Sequence, residues 1–519
     1  MFILEKLTMR DLCEKSFEAR FISTLSPPNL SFSLVTPTPV AAPSLLAWSS
    51  GVAADLGLTS PQYDSDGVSS TVHILAGNAL TPTMRPYSAR YGGHQFGQWA
   101  GQLGDGRAIT LGELRNVQGE LRELQLKGAG PTPYSRRADG RAVLRSSLRE
   151  YLCSEAMHAL GIPTTRALSL VATGDVVQRD MFYDGHIQGE PGAIVCRISP
   201  SFTRFGNFEL HAAHAETNEL KRLADWVITE HYLEFDLSDP NIYASWFKEI
   251  CERTAVMIVH WMRVGFVHGV MNTDNMSILG LTLDYGPYGW LEGYDSTWTP
   301  NTTDSEGRRY AYGNQPAIAL WNLECLGGAL LSLVGSKESI LEGLEHYKSV
   351  YHFRYNEMVA KKLGLEDFQG HSDIALLDDL FSNLTSSETD MTIFFRELGE
   401  ASVHPVRAAL YDQNAWQGNL VVRWEKWLSR YAKRVELQSS SEQVRRELMR
   451  SVNPCYVPRN YLAQQAIDAA TQGDLHPLHE LLAVLSTPYQ EQAGRESYAA
   501  RRPEWARNKA GCSALSCSS

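Results

Sequence analysis

The sequence predicts an α+β protein with a smaller β-rich lobe first and a larger helical lobe second. Two observations carry this. Between Tyr87 and Ile198, short apolar runs bounded by Gly or charged turns flank a single helical repeat. From about Leu220 onward the apolar spacing is almost wholly helical. The order strands, helix, strands, then helices is that of a two-lobed α+β chain.

Residues 25–44 are rich in Pro and Ser and read as an extended arm leading into the body. Gly-rich turns follow from Tyr87 to Gly140, with candidate strands at Ala108–Leu114 and Leu121–Lys127. Arg141–Leu160 reads as a helix, because Leu144, Leu148, Leu152, Ala156 and Leu160 recur every four residues and Gly161-Ile162-Pro163 stops it. Strand-like segments come next at Ala167–Ala172 and Ala193–Ile198. A helix over Ile250–Val264 then leads into a loop at His268. The longest apolar run, Ala317–Gly335, contains Asn322 and Glu324 and reads as a buried helix.

At 519 residues the chain has room for two to four domains or lobes. Hydrophobic residues at 43% and charged residues at 20% are ordinary for a globular protein. A formal net charge of −12 argues against bulk binding to nucleic acid or anionic lipid, while leaving room for a local basic pocket. Glu5, Arg10, Asp11 and Glu14 interrupt the opening segment, so neither a signal peptide nor a presequence is expected, and the expected location is cytoplasmic. Cys13, Cys153, Cys196, Cys251, Cys325 and Cys455 are scattered and read as small buried hydrophobes. Cys512 and Cys517, in GCSALSCSS, read as thiols on a mobile tail suited to redox chemistry.

The segment VHGVMNTDNMSILGLTLDYGPYG (267–289) carries the strongest chemical signal. It sets His268, Asn275 and Asp284-Tyr285-Gly286 in the order of a protein-kinase active site. A kinase loop places its aspartate base five residues before the asparagine. Here that position is Val270, which accepts no proton. Asn275 and Asp284 offer the oxygen ligands Mg²⁺ prefers, and Asp284 follows an apolar run that reads as a strand end. Asp274 is the only carboxylate in the loop and the candidate base, with loop capping as its plain alternative. His268 reads as structural.

Upstream, Gly104-Asp105-Gly106-Arg107 joins two glycines, which let amides approach phosphate, to a cation. Lys127 ends a strand-like run and Glu150 lies on the following helix, the kinase arrangement of a phosphate-bridging lysine and its carboxylate partner. Asp139-Gly140 precedes that helix, where Asp139 either caps it or touches nucleotide. Arg197 and Arg204 form a second cationic pair. An arginine within an apolar strand needs an anion, whether partner carboxylate or ligand phosphate.

These residues, together with RPYSARYGGHQFGQWAGQLGDGRA, LQLKGAGPTPYSRRADGRAVLRSSLREYL, NQPAIALWNL, VNPCYVPRNYL and the terminal SCSS, resemble the selenoprotein O (YdiU-like) family of protein adenylyltransferases. The resemblance covers most of the chain. It implies a protein-kinase-like bilobal fold (a pseudokinase in its missing base) with a helical C-terminal extension. The implied units are an N-terminal arm and extension (1–85), an N-lobe (86–218), a C-lobe with the metal site (219–400) and a C-terminal helical region with a redox-capable tail (401–519). It further implies that ATP binds in a flipped orientation and gives AMP to Ser, Thr or Tyr hydroxyls of proteins, releasing pyrophosphate. Gly104, Gly106, Arg107, Lys127, Asp139, Gly140, Arg197 and Arg204 would surround the nucleotide. Asn275 and Asp284 would hold Mg²⁺ (or Mn²⁺), Glu150 would pair with Lys127, and Asp274 would accept the proton. Animal members carry selenocysteine where this chain has Cys517. Some bacterial members pair that tail cysteine with one in the loop after Asp-Tyr-Gly, a loop that lacks cysteine here, so Cys512 is the remaining substitute. Partners are expected to be hydroxyl-bearing proteins, without nucleic acid or membrane, and the chain is expected to be a monomer. The alternatives are a kinase with a relocated base and a non-catalytic nucleotide-binding scaffold.

Overall fold

The computed structural model describes residues 9–26, 31–181, 184–400 and 404–516. In chain order the strands are β1 (Phe32–Leu34), β2 (Ser44–Trp48), β3 (Tyr87–Ala89), β4 (His94–Gln95), β5 (Gln98–Trp99), β6 (Ala108–Arg115), β7 (Leu121–Lys127), β8 (Arg166–Asp180), β9 (Ile187–Ser199), β10 (Phe266–Val267) and β11 (Gly289–Trp290). The first helices are α1 (Arg20–Thr24), α2 (Ser50–Asp55), α3 (Ser70–Leu75), α4 (Leu144–Ala159), α5 (Phe205–Ala213), α6 (Thr217–His231), α7 (Ile242–Val264) and α8 (Gln315–Val334). The rest are α9 (Lys337–Lys362), α10 (Gly370–Ser386), α11 (Met391–Glu397), α12 (Pro405–Ala409), α13 (Asn419–Glu436), α14 (Glu442–Val452), α15 (Asn460–Thr471) and α16 (His476–Leu485).

Seven strands make one antiparallel sheet in the order β1-β3-β6-β7-β9-β8-β2. The segment expected to be an extended arm therefore supplies one edge of this sheet, β1 pairing with β3, and leads at Ser44 into the other, β2 pairing with β8. Only part of that arm falls among the described residues. Its Pro-rich composition hid the short runs Phe32–Leu34 and Ser44–Trp48, which edge strands tolerate because one side of each needs no partner.

Alternation along the inner strands builds the lobe and aims the site. Leu124 and Leu126 of β7, with Ile194, Cys196 and Ile198 of β9, pack beneath α2 and α3 in one core. Ala193 and Val195 point to the opposite face, where they meet Leu144, Leu148 and Leu152 of α4. With a side-chain period of two, Gln125, Lys127 and Arg197 share that second face. Register places Gln125 beside Arg197 and Lys127 beside Val195. The leucine stripe of α4 is thus spent on packing, and Glu150, off the stripe, is left facing the cleft.

The same core takes in α15 and α16 through Leu462, Ile467, Leu478 and Leu481. The C-terminal region is consequently divided. Trp424 and Trp427 of α13 and Met449 of α14 join the helical core, whereas α15 and α16 lie on the first lobe's side. A buried pair, Arg459 Nη1 to Asp390 Oδ2 at 2.7 Å, ties these parts together. The main helical core runs through α6, α7, α8, α9, α10 and α11 and also takes in Phe205 and Phe208 of α5, with Phe21, Phe32 and Tyr87 from the N-terminal part. In α8, Leu323, Leu326 and Leu330 are fully buried. α7 ends at Gly265, whose φ of 76° lets the chain reverse into β10. β10 pairs with β11 and closes the loop bearing Asn275 and Asp284 at its base.

One feature of the sheet is electrostatically costly. Glu113 and Glu123 stand directly opposite across β6 and β7, both buried. Burial, with the Glu113 charge adding to it, pushes the Glu123 carboxyl up to about 8. A raised folded pKa favours the protonated acid. Its stabilising effect is complete below the unfolded carboxylate value of about 4.3 and fades as pH climbs. Glu123→Gln, a mimic of the neutral acid, is expected to flatten the fall of Tm as pH rises toward about 8. Thermal unfolding at stepped pH checks this, and an unchanged slope would refute it.

Candidate active site

A cavity of about 760 Å³ opens between the sheet and the helical lobe. Its inner end is a cluster of charges on four separate elements. Lys127 Nζ lies 2.6 Å from Glu150 Oε2 and 3.2 Å from Asp284 Oδ1. Arg197 Nη1 donates to Glu150 Oε1 at 2.9 Å and also to Asp284. Arg204 donates from Nη1 to the other Asp284 oxygen and, at 2.9 Å, to the backbone carbonyl of Asp274. Burial alone would raise the Asp284 carboxyl, but Arg204, Lys127 and Arg197 outweigh it and hold the group well below the usual range. Burial lowers the Lys127 ammonium, opposed by Glu150 and Asp284.

One of these residues sits in backbone that differs from the sequence expectation. Asp284 does not end a strand. It occupies a left-handed turn with φ of 54°, which aspartate tolerates better than most residues and which turns the carboxylate back into the cleft. Arg204 lies outside any strand, at the N-cap of α5, where its N–H donates to Asn207 Oδ1 at 2.8 Å.

Asp274 and Asn275 fall in a 3₁₀ turn, Thr273–Asn275. Asp274 is buried, its Oδ2 accepts from Gln95 Nε2 at 3.0 Å, and its Oδ1 has no hydrogen-bond partner among the described residues. Burial raises its carboxyl to about 6, against the lowering effects of Gln95 and Arg204. Asn275 donates from Nδ2 to the carbonyl of Val270 at 2.9 Å, which leaves its amide oxygen as the acceptor available to a ligand. The residue at the usual kinase base position thus contributes its backbone to hold the asparagine. His268 is buried outside the cavity lining, stacked on Trp261, with Nε2 3.0 Å from the carbonyl of Leu283.

Gly104, Gly106, Arg107, Asp139 and Gly140 line the cavity wall. A Cβ on Gly104 would lie 2.4 Å from Tyr134 Cγ, and one on Gly106 would lie 3.0 Å from the Tyr134 carbonyl, so both glycines are set by close approach. Asp139 does not cap α4. The helix starts at Leu144 with Val143 at its N-cap, while Asp139 accepts from Arg141 N–H at 2.9 Å and pairs with Arg179 at 2.7 Å.

Several site residues were passed over in sequence. Asp105 is buried with Oδ1 3.6 Å from Arg204 Nη2. Gln125 accepts from Arg197. Tyr91 stacks under the Arg204 guanidinium, with Cζ 4.8 Å from the ring centroid. Gln95 holds Asp274. Gln125 was legible in principle, two residues before Lys127 on the same strand face. Gln95 was not, because the contact joins positions 179 residues apart.

The tail differs from expectation. Cys512 is buried, and burial raises its thiol to about 11, which does not suit a reactive thiolate. It lines a second cavity beside Trp290 and Glu292. Cys517 lies outside the described residues. Cys13, expected buried, is exposed.

A family model described as "Protein adenylyltransferase SelO" matches residues 13–486. A protein nucleotidyltransferase YdiU of Nitrosospira multiformis is 53% identical, over 99% of this chain and 98% of its own. Proteins of the same name from Xanthomonas campestris and Aromatoleum aromaticum are each 56% identical, with 94% of both chains covered. Among solved structures, ROP2 from Toxoplasma gondii, titled a virulence factor with a protein-kinase fold and no enzymatic activity, matches 68% of this chain and 87% of its own. At 13% identity and a TM-score of 0.22 that likeness carries no argument.

The cradle generates a prediction. Gly104→Ala forces Tyr134 and the facing Ala89 carbonyl to move. The overpacking, about 1–3 kcal/mol, falls on the cavity wall, so nucleotide affinity should drop roughly 5- to 100-fold. Calorimetric titration checks this, and unchanged affinity would show that the wall does not shape the site.

Proposed function

The chain belongs to the protein adenylyltransferase SelO family, an enzyme family transferring a nucleotidyl group to protein, and we propose that its cleft transfers AMP from ATP to Ser, Thr or Tyr hydroxyls. The observation that carries the residue assignment is the inner cluster. Three cations converge on one carboxylate, beside a buried aspartate with an unpartnered oxygen, in a cavity of nucleotide size.

Lys127, Arg197 and Arg204 suit a polyphosphate better than a structural core needs. The same side chains that neutralise Asp284 can turn to phosphate oxygens when a nucleotide enters, which frees Asp284 for a metal. The donor set there fits Mg²⁺: Asp284, the Asn275 amide oxygen and nearby phosphate are hard oxygen ligands. The metal would stabilise charge developing on the phosphate oxygens. Gly104, Gly106 and Arg107 bring close backbone and one more cation to the wall. Asp139 forms the rim towards solvent, with the buried Gly140 behind it.

In the reaction an acceptor hydroxyl oxygen bonds to the α-phosphorus while the bond from that phosphorus to the α,β-bridging oxygen breaks. AMP remains on protein and pyrophosphate leaves. The hydroxyl proton passes to Asp274, whose unpartnered Oδ1 is the accepting atom. Glu150 touches no substrate in this scheme. It fixes Lys127 and Arg197 on the sheet face.

Purified protein given ATP labelled at the α- or the γ-phosphate, with Mg²⁺ and acceptor protein, decides the chemistry. Label retained from the α-position alone is expected, and label from the γ-position alone would make the enzyme a kinase with a relocated base. Asp284→Ala should abolish transfer, and unaltered transfer would remove it from the site. Asp274→Asn should slow transfer by roughly 10²- to 10⁴-fold while ATP affinity changes little, measured as single-turnover rates beside equilibrium titration. Undiminished transfer would leave the base unassigned.

A further inference from the structure

His94, Glu209 and Cys325 come together on three different elements: the β4–β5 hairpin, α5 and α8. One ligand atom from each, an imidazole nitrogen, a carboxylate oxygen and the thiol sulfur, lies within 4.8 Å of the other two. None of the three lines the cavity described above. We propose that His94, Glu209 and Cys325 bind a borderline divalent cation of the Zn²⁺ class, which clamps the glycine-rich hairpin to the helical lobe.

The donor set is the one such a cation selects, nitrogen, oxygen and sulfur with a fourth position open. Bonds of about 2.0–2.3 Å around a tetrahedral ion separate ligand atoms by roughly 3.3–3.8 Å, a span the present arrangement reaches with side-chain adjustments alone. A second observation points to a ligand. The Glu209 side chain is only 2% exposed, with Oε1 2.6 Å from His94 Nδ1. Its Oε2 has no hydrogen bond of normal geometry among the described residues, with the Thr273 hydroxyl the neighbouring polar group. A buried carboxylate oxygen whose neighbouring donor is only the Thr273 hydroxyl, off normal hydrogen-bond geometry, is under-satisfied, and a cation supplies what it lacks. Trp99 and Trp321 hold the His94 ring, with centroids 5.2 and 5.4 Å away. Arg309 and Glu324 are the other charges facing Cys325, so the surroundings keep an acidic excess once Glu209 is ionised.

Binding would displace the proton shared by His94 and Glu209 and the proton of the Cys325 thiol, leaving a thiolate, an imidazole and a carboxylate on the ion. The consequence for the cleft is positional. His94 N–H donates to Thr273 Oγ1 at 2.7 Å, and the next residue, Gln95, holds Asp274. An ion on His94 therefore fixes the turn that carries Asp274 without touching the nucleotide.

The test uses full-length protein stripped with chelator and kept free of nucleotide. Co²⁺ titration should give one equivalent with a thiolate-to-cobalt charge-transfer band that Zn²⁺ abolishes. Cys325→Ser should lose the band, and His94→Ala should weaken binding at least tenfold. Asp284→Ala should keep the band, which separates this site from the Mg²⁺ site. No band in the wild-type protein, or a band surviving in Cys325→Ser, would overturn the proposal. Should Cys325→Ser fail to fold, alkylation of the wild-type protein mapped by mass spectrometry decides. Zn²⁺ should protect Cys325, and equal labelling with and without Zn²⁺ would overturn it.

Discussion

A single partly buried carboxylate organises this molecule. Asp284 is held by Lys127 from β7, Arg197 from β9 and Arg204 from the start of α5, so sheet and helical lobe meet at one charge. Removing one partner strands the charge of the others, at less than the about 3–5 kcal/mol of a fully buried pair because Asp284 is partly exposed. The four side chains therefore constrain one another, and the backbone has been bent to serve them. The left-handed turn at Asp284 and the β10–β11 pairing that closes its loop both exist to aim this carboxylate. The cluster is also a self-neutralised ground state. Its cations are already desolvated and positioned, so an incoming phosphate trades one anion for another rather than ordering flexible side chains.

Much of this was legible in sequence because it is periodic or local. Apolar runs bounded by turns gave the strands β7 and β9, and a leucine stripe gave α4 with Glu150 off it. Asn275 and Asp284 stood out by their fixed spacing in a loop. What escaped was of two kinds. Edge strands β1 and β2 carry few residues and little pattern, and pairing with β3 and β8 is a tertiary decision that overrides their Pro-rich context. Side-chain partners across large sequence separations, such as Gln95 with Asp274 and Asp105 with Arg204, have no local signal at all. Asp139 illustrates the converse error. It has the right residue type to cap a helix, but the chain pairs it with Arg179 on the neighbouring hairpin and starts α4 four residues after Gly140.

The C-terminal region shows how the lobes are kept in register. α15 and α16 pack on α4, so the helix that anchors Lys127 is supported by the far end of the chain. Arg459 at the N-cap of α15 reaches Asp390 beside α11, and Leu515 pairs with Asn301 in the loop after Asp-Tyr-Gly. The tail thus contacts both the support of the cation cluster and the loop beyond Asp284. Burial of Cys512 follows from this packing: the residue is part of a wall, and its thiol is raised for that reason rather than tuned for reactivity.

Charge distribution carries the last step. The chain bears a net −12, yet among the residues lining the cleft cations outnumber carboxylates, with Arg107, Arg136, Arg137 and Arg179 joining the inner three. A cationic recess in a chain of net negative charge acts on anions through its local charge rather than the chain's overall charge. It concentrates attraction where walls of low dielectric focus it, on a compact anion. The side chains deepest in that recess are held by carboxylates and those near its mouth are more exposed. Arg136 and Arg137 stand exposed while Lys127, Arg197 and Arg204 lie at the inner end, so positive charge runs the depth of the recess.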